Sequence, residues 1–116
     1  MQEISRELVA ASSKPLVLSL LQKQESYGYQ IIADVKQISG GSLQWTDGML
    51  YPVLHRLERE GLVESFWQKA ETGRKRKYYR ITKQGIAEID AQKDQWASVN
   101  QALNQLWGGS AEPCTS

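Results

Sequence analysis

Residues 62–82 read LVESFWQKAETGRKRKYYRIT. Two segments rich in β-branched and aromatic residues, LVESFWQKA (62–70) and RKYYRIT (76–82), flank a polar turn that contains Gly73. This is the pattern of a β-hairpin. In the second strand the side chains alternate, which assigns Tyr79 with Ile81 to the core and Tyr78 with Arg80 to the outside.

What surrounds the hairpin is helical. Residues 4–23 carry Ile4, Leu8, Ala11, Leu16, Leu18, Leu20 and Leu21, interrupted by Pro15. Proline is tolerated in a first turn and Ser12 or Ser13 can cap a new start, so the spacing predicts a kink or two consecutive helices. YGYQIIADVKQIS (27–39) places Ile31, Ile32, Val35 and Ile38 on one stripe, and Gly40 and Gly41 end it. TDGMLYPVLHRLEREG (46–61) has Thr46 or Asp47 as N-cap, Leu50, Val53, Leu54 and Leu57 on one face, and Gly61 as its stop. After the hairpin, Thr82 or Lys83 opens a long polar-rich helix to about Trp107, terminated by Gly108 and Gly109.

Three helices, a hairpin and a long helix give a mainly α fold with a small β-hairpin wing. The order is that of a winged helix-turn-helix, residues 1–82, followed by a helix over 83–107 and a flexible tail over 108–116. In that arrangement the third helix enters the DNA major groove, and the wing reaches phosphates or the adjacent minor groove.

Bulk charge says little about a polyanionic partner, since the formal net charge is only +1. The distribution says more. Residues 72–83 contain Arg74, Lys75, Arg76, Lys77, Arg80 and Lys83, six of the fourteen basic residues, and no acid. A basic run alone is ordinarily a solvated surface; on a hairpin behind a helix-turn-helix it becomes a phosphate-contacting element. On the third helix, a turn of about 100° per residue points Gly48, Pro52, His55 and Arg59 outward, with Tyr51 and Arg56 on the shoulders. Hydroxyl, imidazole and guanidinium groups there can donate to phosphates and base edges, and Gly48 lets the backbone come close. Pro52 lacks an N–H, which predicts a bend or a late helix start.

Other chemistries find little support. His55 is the single histidine and Cys114 the single cysteine. A His-pair metal site, an internal disulfide and a nucleophile–base pair are therefore all lacking, and neither metal, cofactor nor enzymatic activity is expected. The glycine pairs at 40–41 and 108–109 read as helix stops, not phosphate loops. The chain has no signal pattern, and no apolar run approaches the roughly 18 residues of a membrane helix. A cytoplasmic protein without membrane association is expected.

On the last helix Ile89, Trp96, Val99, Leu103 and Leu106 follow a 3–4 spacing, with Gln92 in one gap and Ile86 and Trp107 alongside. A domain of this size has little to cover so long a stripe, so a partner helix from a second copy is the natural cover, with Leu8 of the first helix contributing.

The segments LYPVLHRLEREGLVES (50–65) and GRKRKYYRITKQG (73–85), preceded by YGYQI (27–31), resemble the PadR family of bacterial transcriptional regulators, from about Leu16 to the end of the last helix. The resemblance implies a homodimer on a palindromic operator in double-stranded DNA, usually as a repressor, with the fourth helix packed against the partner. It also implies the short subfamily without an added C-terminal domain. By position, Thr46, Tyr51, Pro52 and His55 match the recognition helix and Arg74, Arg76 and Lys77 the wing, while Lys75 stands where proline or arginine is usual. The resemblance further implies sensing of small planar aromatic or cationic compounds at the dimer interface, as members of this size often do, and Trp96 stands at a similar position. An indole can stack on such a ligand or hold a cation over its face; the plainer role of Trp96 is interface core. Against operator binding stands an adaptor reading, a winged helix that binds proteins through the same surface. Steep salt dependence would separate the two. RNA binding is disfavoured, because no aromatic stacking platform is evident in the sequence.

Overall fold

Helix α1 runs Arg6–Lys23 through Pro15 as one element, in a computed structural model that describes residues 4–108. Gly109 and Cys114 of the expected tail lie outside the described residues. The expected fresh start at Ser12 or Ser13 does not occur, because both hydroxyls are turned back into the helix. Ser12 Oγ donates to the Leu8 carbonyl at 2.7 Å and Ser13 Oγ to the Ala10 carbonyl at 2.9 Å. The cap is Ser5, whose Oγ accepts from the Leu8 N–H. Burial of Val17, Leu18 and Leu21 carries the helix past the proline.

A short strand, β1 (Ser26–Tyr27), leads into α2 (Gly28–Ile38), and after a glycine-terminated loop comes α3 (Asp47–Arg59). The stop after α2 is as expected: Gly40 and Gly41 both have positive φ, and the Gly41 N–H reaches the Lys36 carbonyl at 2.8 Å. Ile31 and Val35 are buried and Ile32 packs on the core, whereas Ile38, expected on the same stripe, is exposed at the last turn. In α3 Leu50, Leu54 and Leu57 are fully buried and Val53 half-buried. The strands β2 (Val63–Lys69) and β3 (Lys75–Ile81) form the hairpin, and α4 spans Lys83–Leu106.

The sheet has a third strand that period reading could not detect. β1 pairs antiparallel with β3, Ser26 opposite Tyr79 and Tyr27 opposite Tyr78, giving the order β1-β3-β2. Tyr79 is fully buried, as expected, in a core it shares with α1, α2, α3 and Ile89 of α4. Burial, with Glu58 and Tyr51 nearby, raises the Tyr79 phenol above its ordinary value.

The junction between wing and α4 is tightly fixed. Thr82 Oγ1 donates to the Gly61 carbonyl at 2.7 Å and accepts from the Gly85 N–H at 3.0 Å, capping α4 while tying it to the end of α3. A Cβ at Gly85 would overlap the Leu62 carbonyl oxygen and lie 2.6 Å from Ile81 Cγ1. Backbone cannot yield as a side-chain tip can, so Gly85→Ala is expected to cost about 2–3 kcal/mol. Urea unfolding would check this; a loss below half a kcal/mol would mean that the junction gives way freely.

Candidate nucleic-acid interface

The outward face of α3 carries the residues expected there. Thr46, Gly48, Pro52, His55, Arg56 and Arg59 are all exposed. Thr46 is the N-cap through its backbone, its carbonyl accepting from Met49 and Leu50, while its side chain makes no cap bond. Pro52 lies inside the helix, which begins at Asp47, so the late start does not occur. Having no N–H, Pro52 leaves the Gly48 carbonyl without its helical donor on the exposed face.

Tyr51 sits on the shoulder nearest α2. Its ring lies against the first turn of that helix, at Gly28, and 6.2 Å from the His55 ring. Tyr51 and Gly28 border a groove of about 300 Å³, lined also by Tyr27, Tyr29 and the wing residues Arg74, Lys75, Arg76 and Lys77. The topology explains why four consecutive wing residues can share it. β1 pairs only with residues 78 and 79 of β3. Beyond Tyr27 the chain turns into α2, so the edge of β3 at residues 75–77 faces the groove instead of a strand. Tyr27, the N-cap of α2, offers no side-chain cap, and Gly28 and Tyr29 of the first turn of that helix line the groove.

On β3 the basic side chains alternate. The Arg76 guanidinium lies 4.4 Å from the centroid of the Tyr27 ring. Lys77 is on the other face, half-buried, with its Nζ 5.9 Å from the Tyr79 ring. The Arg76 face continues as a cross-strand row of one ring per strand. Tyr27 meets Tyr78 edge-on at 5.1 Å, Phe66 stacks on Tyr78 at 5.8 Å, and Arg80 covers Phe66 at 4.5 Å. Tyr78, expected outside, is thus half-buried within this row. An aromatic platform therefore exists on the sheet, contrary to expectation, but guanidinium groups already lie over both end rings. The Arg80 Nε also pairs with Glu64 at 2.6 Å, so this cation is committed within the sheet. Arg74, Lys75 and Arg76 are exposed.

The residues expected at a partner interface divide. Ile89 is only 1% exposed and belongs to the protomer's own core, because α1 and β3 cover the first turns of α4; it is not available to a partner. Leu8, Val99 and Leu106 are exposed and Leu103 half-buried. Trp96 is half-buried and lines a groove of about 220 Å³ with Ser12, Pro15, Leu16 and Ser19 of α1. Glu88, near this helix pair, accepts from Gln92 and faces Lys14, which together hold its carboxyl below the usual range.

Sequence reading missed the place of several residues in the site. YGYQI entered it only as part of the family resemblance, and Tyr27, Gly28 and Tyr29 line the groove beside the short β1–β3 pairing. Trp67 is 66% exposed, opposite Lys77 and on the same sheet face as Lys69 and Lys75. Its alternation with Phe66 was the available clue. Among the described residues no helix is long and apolar enough to cross a membrane and no acid, His and Cys cluster could hold a metal.

Comparison with known proteins agrees with this fold. Residues 17–91 match the transcriptional regulator PadR-like family. The chain is similar to a transcriptional regulator from Clostridium thermocellum, 29% identical with a TM-score of 0.79, over 88% of this chain and 96% of that one. A PadR-like transcriptional regulator from Bacillus cereus is 26% identical with a TM-score of 0.78, over 91% and 99% of the two chains. A transcriptional regulator of Mycobacterium tuberculosis is 28% identical over 106 residues, 91% of this chain and 92% of that protein.

Proposed function

Because this chain belongs to the PadR-like family of transcriptional regulators, which are DNA-binding proteins and not enzymes, we propose that it acts as a homodimeric repressor on a palindromic operator. The observation that carries this reading is the groove in which Tyr51, the open start of α2 and Arg74–Lys77 converge beside an α3 face free of acids. Two chains pair through α4, with help from Leu8. Their α3 helices enter successive major grooves about 34 Å apart. Thr46 and Tyr51 set the register on phosphates, Pro52 and His55 approach the base edges with Gly48 and Arg56 beside them on the DNA-facing surface, and the wing adds affinity that is indifferent to sequence. A planar aromatic or cationic ligand against Trp96, in its groove on α1, would alter the spacing of the two α3 helices and release the operator.

Selection of genomic fragments by the purified protein, followed by titration at two salt concentrations with and without a planar cation, tests this. The expected outcome is a recovered palindrome, bound with affinity that falls steeply with salt and weakened by the ligand. Failure to enrich any fragment would favour the adaptor reading, in which the same surface binds protein. Enrichment unaffected by planar compounds would remove the ligand step alone.

A further inference from the structure

We propose that Gly28 is a positioning residue for DNA contact: its missing side chain lets the Tyr51 ring rest on the first turn of α2, which fixes the phenol hydroxyl at the mouth of the basic groove. The inference rests on the DNA reading above and deepens it.

The backbone gives no reason for glycine at this position. Gly28 is the first residue of α2 and is absent from the glycines with positive φ. Alanine would favour the helix there by up to about 1 kcal/mol. What excludes a side chain is another side chain. A Cβ at residue 28 would meet Tyr51 Oη at 2.5 Å, Tyr51 Cζ at 2.9 Å and Tyr51 Cε2 at 3.5 Å, the nearest atoms beyond its chain neighbours and its own helix backbone. Residues 28 and 51 belong to different helices, so this contact couples the YGY segment of α2 to the LYP segment of α3.

The position of the contact matters. Tyr27, immediately before the glycine, carries the Arg76 guanidinium over its ring. The dipeptide Tyr27–Gly28 thus organises both a hydroxyl donor from α3 and a cation from the wing on the same groove. A tyrosine held in place before DNA arrives loses less rotamer freedom on binding than one that swings in solvent. A hydroxyl donating to a charged phosphate is among the stronger single hydrogen bonds.

The test is a double-mutant cycle on Gly28→Ala and Tyr51→Ala, read by affinity for duplex DNA at low salt and by NMR of the free protein. The Tyr51 ring resonances, identified by their loss in Tyr51→Ala, should move in Gly28→Ala while the melting temperature holds or rises. Gly28→Ala should weaken DNA binding about tenfold per half-site in the wild-type background and have no effect once Tyr51 is alanine. Unmoved ring resonances would overturn the contact itself. Equal losses with and without the Tyr51 side chain, or no loss in either, would overturn the positioning role. A wild-type protein that bound no duplex would sink the DNA reading and with it this role, even if the ring were displaced as expected.

Discussion

The double substitution Val99→Glu and Leu106→Glu is expected to leave each chain folded, to abolish self-association, and to lower operator affinity by on the order of 10³-fold or more. Both positions lie on α4 beyond the turns that α1 and β3 cover. In the single chain Val99 is 52% exposed and Leu106 80% exposed, so glutamate there disturbs no core. In a pair formed through α4 these positions would lie in the seam, and unpaired carboxylates on an apolar seam are strongly disfavoured. The large effect on DNA follows from geometry. A dimer binds two half-sites as one unit, and a monomer keeps only one set of contacts. Specific affinities of roughly 10⁻⁸–10⁻¹¹ M therefore fall steeply when the pair is split. Light scattering would establish the mass and titration of the recovered operator the affinity. A variant that remained dimeric with full affinity would show that α4 is not the pairing element.

How much of this could be read beforehand depended on whether a feature was periodic or local. Leu50, Leu54 and Leu57 mark the inner face of α3 by spacing alone, and all three are buried. The same face fixes which α3 residues point outward, so the α3 part of the candidate interface was legible. Tyr79 was assignable to the core because strand alternation has a period of two. β1 was not legible: two residues carry no period, and what makes them a strand is the free edge of β3. The consequences of that pairing were hidden with it, including the ring row through Tyr27 and the place of Gly28 in the groove. Arg80 illustrates the limit for charges. Counted in the sequence it belongs to the basic run; in the fold the strand register sets Glu64 opposite, and the two pair. Ile89 shows the converse, since spacing alone cannot tell a helix face that meets its own chain from one that meets a partner.

Replacing Arg76 and Lys77 together by alanine is expected to weaken binding about equally on operator and on random duplex. The loss should be on the order of 10²–10³-fold near physiological salt. Two charges on each of two chains make four phosphate contacts, and at about 0.9 per contact the plot of log affinity against log salt should flatten by roughly 3 to 4. Stability should change little. Arg76 is exposed and Lys77 half-buried, and the contacts they lose with the Tyr27 and Tyr79 rings are worth about 1 kcal/mol each. Arg80→Ala is the informative control. It also removes a positive charge from β3, but one already engaged by Glu64 and placed over Phe66, away from the groove residues. Its salt slope should stay near that of the wild type. If Arg80→Ala flattened the slope as much per charge as the double substitution, net charge and not the groove would govern binding. If the double substitution weakened only the operator and spared random DNA, the wing would be reading bases, and the division of labour between α3 and the wing would have to be reversed.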